Sequence, residues 1–273
     1  MDSVTSRASD GSLSGDASAA PFQSGWRSRL AWLALLAYVL YAMAQLDFNT
    51  ERFSNGLANG IKFVTRMVPP DTGKWDILAS GIFESLQMAL LASAGGILLS
   101  LPLGLLAARN LMPSVLTWPA RALISACRAL HPVIVAILFV KAVGFGALAG
   151  ILALIVASIG FIGKLFADAI EEISPKQVEA VRATGASFMN VILFGVLPQV
   201  LARFVGFATY QLDTNLRNST MVGIVGAGGV GGALFSAFQR FDYDFVCTIL
   251  ITIVLIIVLG EVLSNYVKKA FRV

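Results

Sequence analysis

The chain alternates between long apolar blocks and short polar segments. Blocks at residues 30–46, 77–107, 116–143, 147–166, 194–216 and 245–267 approach or exceed the roughly 20 apolar residues a helix needs to cross a bilayer core. At 1.5 Å per residue the block at 77–107 makes a helix about 46 Å long, which must tilt or project beyond the lipid. Gly96, Ser100 and Gly104 recur along it every fourth residue, a small-residue stripe suited to close helix packing. Between the first two blocks, residues 47–76 are polar with an amphipathic middle at 53–67, ended by Pro69-Pro70. That segment reads as an external helix lying in the membrane interface. Ala42-Met43-Ala44 has the small-residue form of a leader-cleavage site. The long tail before it favours a retained span over 26–46, with cleavage as the alternative.

Composition agrees with lipid as the main solvent: 57% of residues are hydrophobic and 13% charged, where a soluble domain carries roughly 25% charge. The expected fold class is all-α, a polytopic membrane bundle of about six transmembrane helices. Residues 1–25 are rich in Ser, Ala, Gly and Asp and are expected to be a disordered tail. The net charge of +4 is not gathered into a patch with interleaved aromatics, which argues against a nucleic-acid partner. Basic residues report orientation instead. With six spans, Arg27, Arg29, Arg109, Lys176, Arg182, Lys268, Lys269 and Arg272 fall on one side, which is the expected cytoplasmic side holding both termini, including the short tail 269–273. The other side holds Arg52, Lys62, Arg66, Lys74, Arg217 and Arg240.

Cys127 and Cys247 lie far apart inside apolar blocks, and the single histidine offers no nucleophile–base constellation. No metal site, cofactor or catalytic activity is expected. A phosphate-binding loop is missing too: Gly163-Lys164 is followed by Leu165, and Ser158 stands where its first glycine belongs.

The most informative segment runs from Ser174 to Gly185, Ser-Pro-Lys-Gln-Val-Glu-Ala-Val-Arg-Ala-Thr-Gly. Ser174 suits an N-cap, Pro175 the first helical position, Gln177 the far corner of a capping box, and Gly185 a C-terminal stop. A short, well-delimited helix in the loop between two spans is predicted. With Glu179-Ala180-Val181, Gly185 and Leu197-Pro198, this segment resembles the cytoplasmic loop motif of ABC importer permeases. It departs at Val181, where that family often has Ala, and at Gly195, where Ile is common. Gly223-Ile224-Val225-Gly226-Ala227-Gly228-Gly229-Val230-Gly231 is similar to the glycine stretch between the last two core helices of methionine and phosphonate permeases. The same stretch satisfies a dinucleotide-binding G-x-G-x-x-G after a strand-like 221–225, but it is flanked by membrane spans rather than by a βαβ unit. A re-entrant segment packed at membrane depth is the favoured reading. The runs 163–167 and 185–187, Gly195 to Val200, and Arg128-Ala129-Leu130-His131-Pro132 look like the phosphonate branch. The resemblance covers about 77–268, plus the extra N-terminal span.

This resemblance implies a five-helix type I importer core at 77–268, working with a second permease copy or paralogue, two ATPase subunits and an extracytoplasmic substrate-binding protein. Ser174, Pro175, Val178, Glu179, Ala180, Val181, Arg182 and Gly185 would form the coupling helix. Glu179 would meet a basic residue of the ATPase, and Val178 and Val181 would seat the apolar side. The implied cargo is a phosphonate or related phosphorus oxyanion. Methionine or another small solute is the alternative, and a non-transporting anchor or sensor the rival from another class.

An ionisable residue within a span costs about 2.5–3.5 kcal/mol on insertion scales, so each asks for a reason. Arg128, His131, Lys141, Arg217, Glu84 and Asp213 stand out, with Asn215. Arg217, Asn215, Asp213, Arg128 and His131 are the candidate substrate path, and Met221 a candidate gate. An Asp213–Arg217 pair at i, i+4 is the structural alternative.

Overall fold

The computed structural model describes residues 26–45 and 50–270. The expected tail at 1–25, the junction at 46–49 and residues 271–273 lie outside the described residues. The described chain is helical throughout, with no strand. Eleven helices follow one another: α1 Trp26–Gln45, α2 Thr50–Arg66, α3 Trp75–Ala107, α4 Ser114–Ala129, α5 Pro132–Val143, α6 Ala147–Glu171, α7 Pro175–Ala183, α8 Phe188–Asn190, α9 Leu197–Val222, α10 Gly229–Gln239 and α11 Tyr243–Ala270. Wider π-type turns at Val191–Val196 and Gly223–Ala227 precede and follow α9.

The chain divides into two units between Lys62 and Phe63. In the first, α1 carries exposed Trp32, Leu33, Leu36, Tyr38 and Leu40 all round, the pattern of a helix whose solvent is lipid. Phe53, Leu57 and Ile61 of α2 form one apolar stripe at a spacing of four.

The second unit is built on α3 and α6, whose small residues let the backbones approach. Their contacts advance in step: Gly150 lies beside Met88, Gly96 beside Ser158 and Gly104 beside Phe166, so the two helices run parallel. A Cβ on Gly104 would come 3.2 Å from the Gly163 carbonyl oxygen, so the stripe expected for packing is used that way. Helix α4 runs antiparallel to α6, with Ile124 at Gly163 and Arg128 at Gly160. Along α9, Phe204 stacks edge-on against Phe166, 5.1 Å between centroids, and Gln211 and Asn215 reach Ser158.

Among the described residues five helices are long and apolar enough to cross a membrane, or six if α4 and α5 count as one span. That pair corrects the continuous third span expected at 116–143. The chain bends by 92° at Leu130-His131 because Pro132 cannot continue the α4 hydrogen-bond ladder. In the glycine segment, residues 221–222 end α9 and 223–225 belong to the wider π-type turn, so the strand that a dinucleotide-binding loop would need is missing there. The segment is a partly buried break between α9 and α10, and α10 then runs from Ser85 towards Leu78 of α3, opposite to α3's own direction.

Candidate functional site

Helix α7 sits at the end of the second unit where α3 and α6 finish. Its N-cap is Ser174, but the hydroxyl makes no capping bond and Gln177 is exposed. The expected capping box is therefore absent. Gln199 of α9 replaces it: its Oε1 accepts from the Ser174 N–H at 3.1 Å, while its Nε2 donates to the Gly195 carbonyl at 2.6 Å. Pro175 occupies the first helical position as predicted. Gly185 closes the helix with φ +76°, a left-handed conformation that favours glycine.

Val178 is buried in a cluster with Phe166, Ile170, Val191, Val196 and Val200, and Val181 is half-buried against the same cluster. Both valines turn the apolar side of the helix toward its own chain. Gly195 lies directly against this face: a Cβ there would stand 3.5 Å from Val178 Cα and 3.6 Å from Val181 Cγ2, in ordinary contact, with no room for a longer side chain behind it. What faces outward is Lys176, Glu179, Ala180, Arg182 and Ala183, with exposed Phe188 and Met189 beside them.

The platform under α7 is braced by groups the sequence reading passed over. Arg121 forms an ion pair with Glu171 at 2.5 Å and donates to the Ala107 carbonyl at 2.8 Å. Glu171 Oε1 also accepts from the Arg109 N–H at 2.7 Å, and Asn110 donates to the Ile170 carbonyl at 2.7 Å. Arg121 lay in an apolar block and could have been found by the same insertion-cost argument that singled out Arg128.

The path candidates separate into three places. Arg128 and His131 are exposed at the break between α4 and α5, where His131 Nδ1 accepts from the Val133 N–H at 3.3 Å and caps α5. On α9, Arg217 is 56% exposed and lies 3.3 Å from Asp213, whose side chain is 14% exposed. Met221, one turn further along the same exposed stripe, is 51% exposed. Asn215 is elsewhere: two residues from Arg217 is about 200° around a helix, and it is fully buried. Its Nδ2 donates to Ser93 Oγ at 2.9 Å and Ser158 Oγ at 3.0 Å, and its Oδ1 accepts from Gln211 Nε2 at 2.9 Å. Asn215 therefore joins α3, α6 and α9 and does not lie on the exposed stripe with Arg217 and Met221.

At the end away from α7 an open cavity of about 620 Å³ is lined by Phe145, the glycine segment, Phe235 and Ser236. Gly146 N–H donates to the Gly226 carbonyl at 3.0 Å across its rim. At the same end the Gly73 N–H, and then Lys74, hold the Asp71 carboxyl below its ordinary value, while Asp242 and then Asp71 raise Lys74. Among the described residues no group of His, Cys, Asp and Glu could hold a metal ion.

Residues 100–273 match the model of the family described as "Binding-protein-dependent transport system inner membrane component". The chain is 44% identical over 240 residues to the phosphate-import permease protein PhnE of Mycolicibacterium smegmatis, covering 86% of this chain but under half, 44%, of that longer protein. It is 37% identical over 256 residues to the phosphite transport system permease protein PtxC of Stutzerimonas stutzeri, covering 92% of each. A solved inward-facing structure of the MetNI methionine ABC transporter superposes with a TM-score of 0.65 at 26% identity, covering 74% of this chain and 99% of that one. The apolar helices, the α7 platform and these likenesses agree: the chain belongs to the binding-protein-dependent transport system inner membrane components, with the fold of a type I ABC importer permease.

Proposed function

We propose that the chain is the membrane-spanning permease of an ATP-driven importer that carries a phosphonate or related phosphorus oxyanion inward. The observation that carries the importer reading is α7, seated by Val178 on its own bundle with Glu179 and Ala180 presented outward. ATP hydrolysis resides on separate ATPase subunits, two per transporter, each receiving one α7. A second copy of the permease or a paralogue completes the path, and an extracytoplasmic binding protein delivers the cargo. Both termini and α7 face the cytoplasm, in keeping with the basic residues on that side.

The cargo reading rests on the relatives named for phosphate and phosphite. Arg128 and His131 at the helix break and Arg217 on the α9 stripe supply cationic and hydrogen-bonding groups for an anion, with Met221 as a gate beside Arg217. Methionine is the second reading, favoured by the structural likeness to a methionine transporter. Uptake of labelled phosphite into cells expressing the complete transporter, competed with methylphosphonate, phosphate or methionine, separates the two. Competition by the phosphorus oxyanions but not methionine supports the proposal; competition by methionine alone overturns the cargo reading and leaves the importer reading intact.

A further inference from the structure

Glu84 is a carboxylate inside α3, about 14 Å along that helix from Trp75, where the importer mechanism gives it no task. Its exposure is partial, and among the described residues no ion pair balances it. The contact it makes is with backbone. Glu84 Oε2 accepts from the Gly229 N–H at 2.7 Å, the first residue of α10, and the neighbouring Ser85 Oγ accepts from the Val230 N–H at 2.9 Å. Two otherwise orphaned donors at the positive end of α10 are thereby taken by adjacent residues of α3.

The glycine segment is shaped around this carboxylate. Gly228 and Gly229 have φ of +81° and +66°. A Cβ on Gly228 would run into Glu84 Oε1, and one on Gly229 into Ser85 Oγ. The same segment forms a wall of the 620 Å³ cavity, with Gly223, Gly226, Gly228, Gly232, Phe235 and Ser236 on it and Phe145 opposite. Thus one charge-assisted bond from α3 sets the position of the loop that lines the cavity, and charge-assisted bonds are the stronger class.

We propose that Glu84 is a positioning residue for transport: its carboxylate latches the glycine loop to α3, and movement of that loop during the cycle requires this latch to be released. The proposal rests on the importer reading, in which the cavity opens to the outside. With the latch missing, the loop opens without the ATP-driven step, so ATP is hydrolysed with less cargo moved. An amide at position 84 still accepts from Gly229 but without charge, so Glu84→Gln lies between wild type and Glu84→Ala. Ser85→Ala removes the second acceptor independently.

The test places one cysteine at Ser236 in a Cys127→Ala/Cys247→Ala background and measures its labelling by a membrane-impermeant maleimide in intact cells. A Thr72→Cys reporter at the same end serves as control. The expected result is a labelling rate at 236 that rises in the order wild type, Glu84→Gln, Glu84→Ala, by about tenfold at the extreme, with Thr72→Cys unchanged. That rise corresponds to ~1.4 kcal/mol. Purified complexes should show raised ATPase activity without cargo and a lowered maximal uptake rate at near-constant KM. A merely structural role would lower the amount of protein and leave these per-molecule quantities unmoved. Unchanged labelling and unchanged coupling in Glu84→Ala overturn the proposal. Should that variant not accumulate, Glu84→Gln and Ser85→Ala decide it, and wild-type labelling in both is the overturning result. Failure of both cysteines to label from outside refutes the orientation instead, and ordinary labelling with a different cargo refutes only the cargo.

Discussion

Replacing Asn215 by alanine distinguishes a structural polar cluster from a transport path. Asn215 makes two interhelical bonds, to Ser93 and Ser158, and one along α9 with Gln211, all within a fully buried site. Interhelical hydrogen bonds in membrane proteins average about 0.6 kcal/mol each and reach about 1.7, so losing the two amounts to roughly 1–3 kcal/mol. For a unit of this size each kcal/mol moves the melting temperature by about 2–4 °C, which gives an expected drop of about 2–12 °C. The assay is thermal unfolding of the purified protein in mild detergent, alongside uptake at matched membrane levels. Because both lose the same bond, Asn215→Ala and Ser158→Ala should be less than additive in combination. A melting temperature within 1 °C of wild type (about 0.3 kcal/mol), together with a raised KM for uptake, would refute this reasoning and return Asn215 to the path.

Three further outcomes follow from the geometry. Gly195→Ile should leave insertion intact but reduce ATP-driven uptake, since its Cβ would already be in contact with Val178 and Val181 and the atoms beyond it must displace α7, whereas Gly195→Ala should be tolerated; wild-type uptake in Gly195→Ile would contradict the seating described for α7. Arg217→Ala should lower uptake while preserving the amount of protein, and recovery of full uptake in Asp213→Asn/Arg217→Ala would mark the pair as structural and remove Arg217 from the path. The Asp71–Lys74–Asp242 cluster makes stability depend on pH at both extremes. Asp71, held low by Gly73 N–H and Lys74, contributes above its ordinary value of 3.8 and loses that contribution as pH falls through its lowered folded value. Lys74, raised by Asp242, contributes below its ordinary 10.5 and loses it as pH rises through its folded value. Asp242→Asn should therefore be less stable than wild type at neutral pH and converge with it at alkaline pH; a constant difference across that range would contradict the assignment.

How much of this was legible in the sequence differs by element. The spans were readable because a helix facing lipid must be apolar over a set length, and α7 because Pro175 and Gly185 delimit a helix locally. Tertiary contacts were not readable. Gln177 suited a capping box, yet Gln199, remote in sequence, took the bond, because the close approach of α7 to Gly195 brings α9 within reach. Val178 and Val181 read as an apolar face without indicating whether that face met a partner or its own bundle. Asn215 and Arg217 read alike as polar residues near one helix end, and only the rotation of α9 against Ser93 and Ser158 separates a buried residue from an exposed one. The break at Leu130-His131 was signalled by Pro132, but a run of apolar residues on both sides hid it.

The central claim is that α7 transmits ATPase motion to this bundle, and the most direct test is co-purification from native membranes in mild detergent, comparing wild type with Glu179→Lys. Glu179 is exposed and outside the Val178 cluster, so the charge reversal leaves the fold intact. The account predicts that wild type retains an ATPase subunit with measurable activity, and that Glu179→Lys, present at equal amount in the membrane, loses it. An ATPase bound equally by both, or by neither across several mild detergents, would contradict the role assigned to α7.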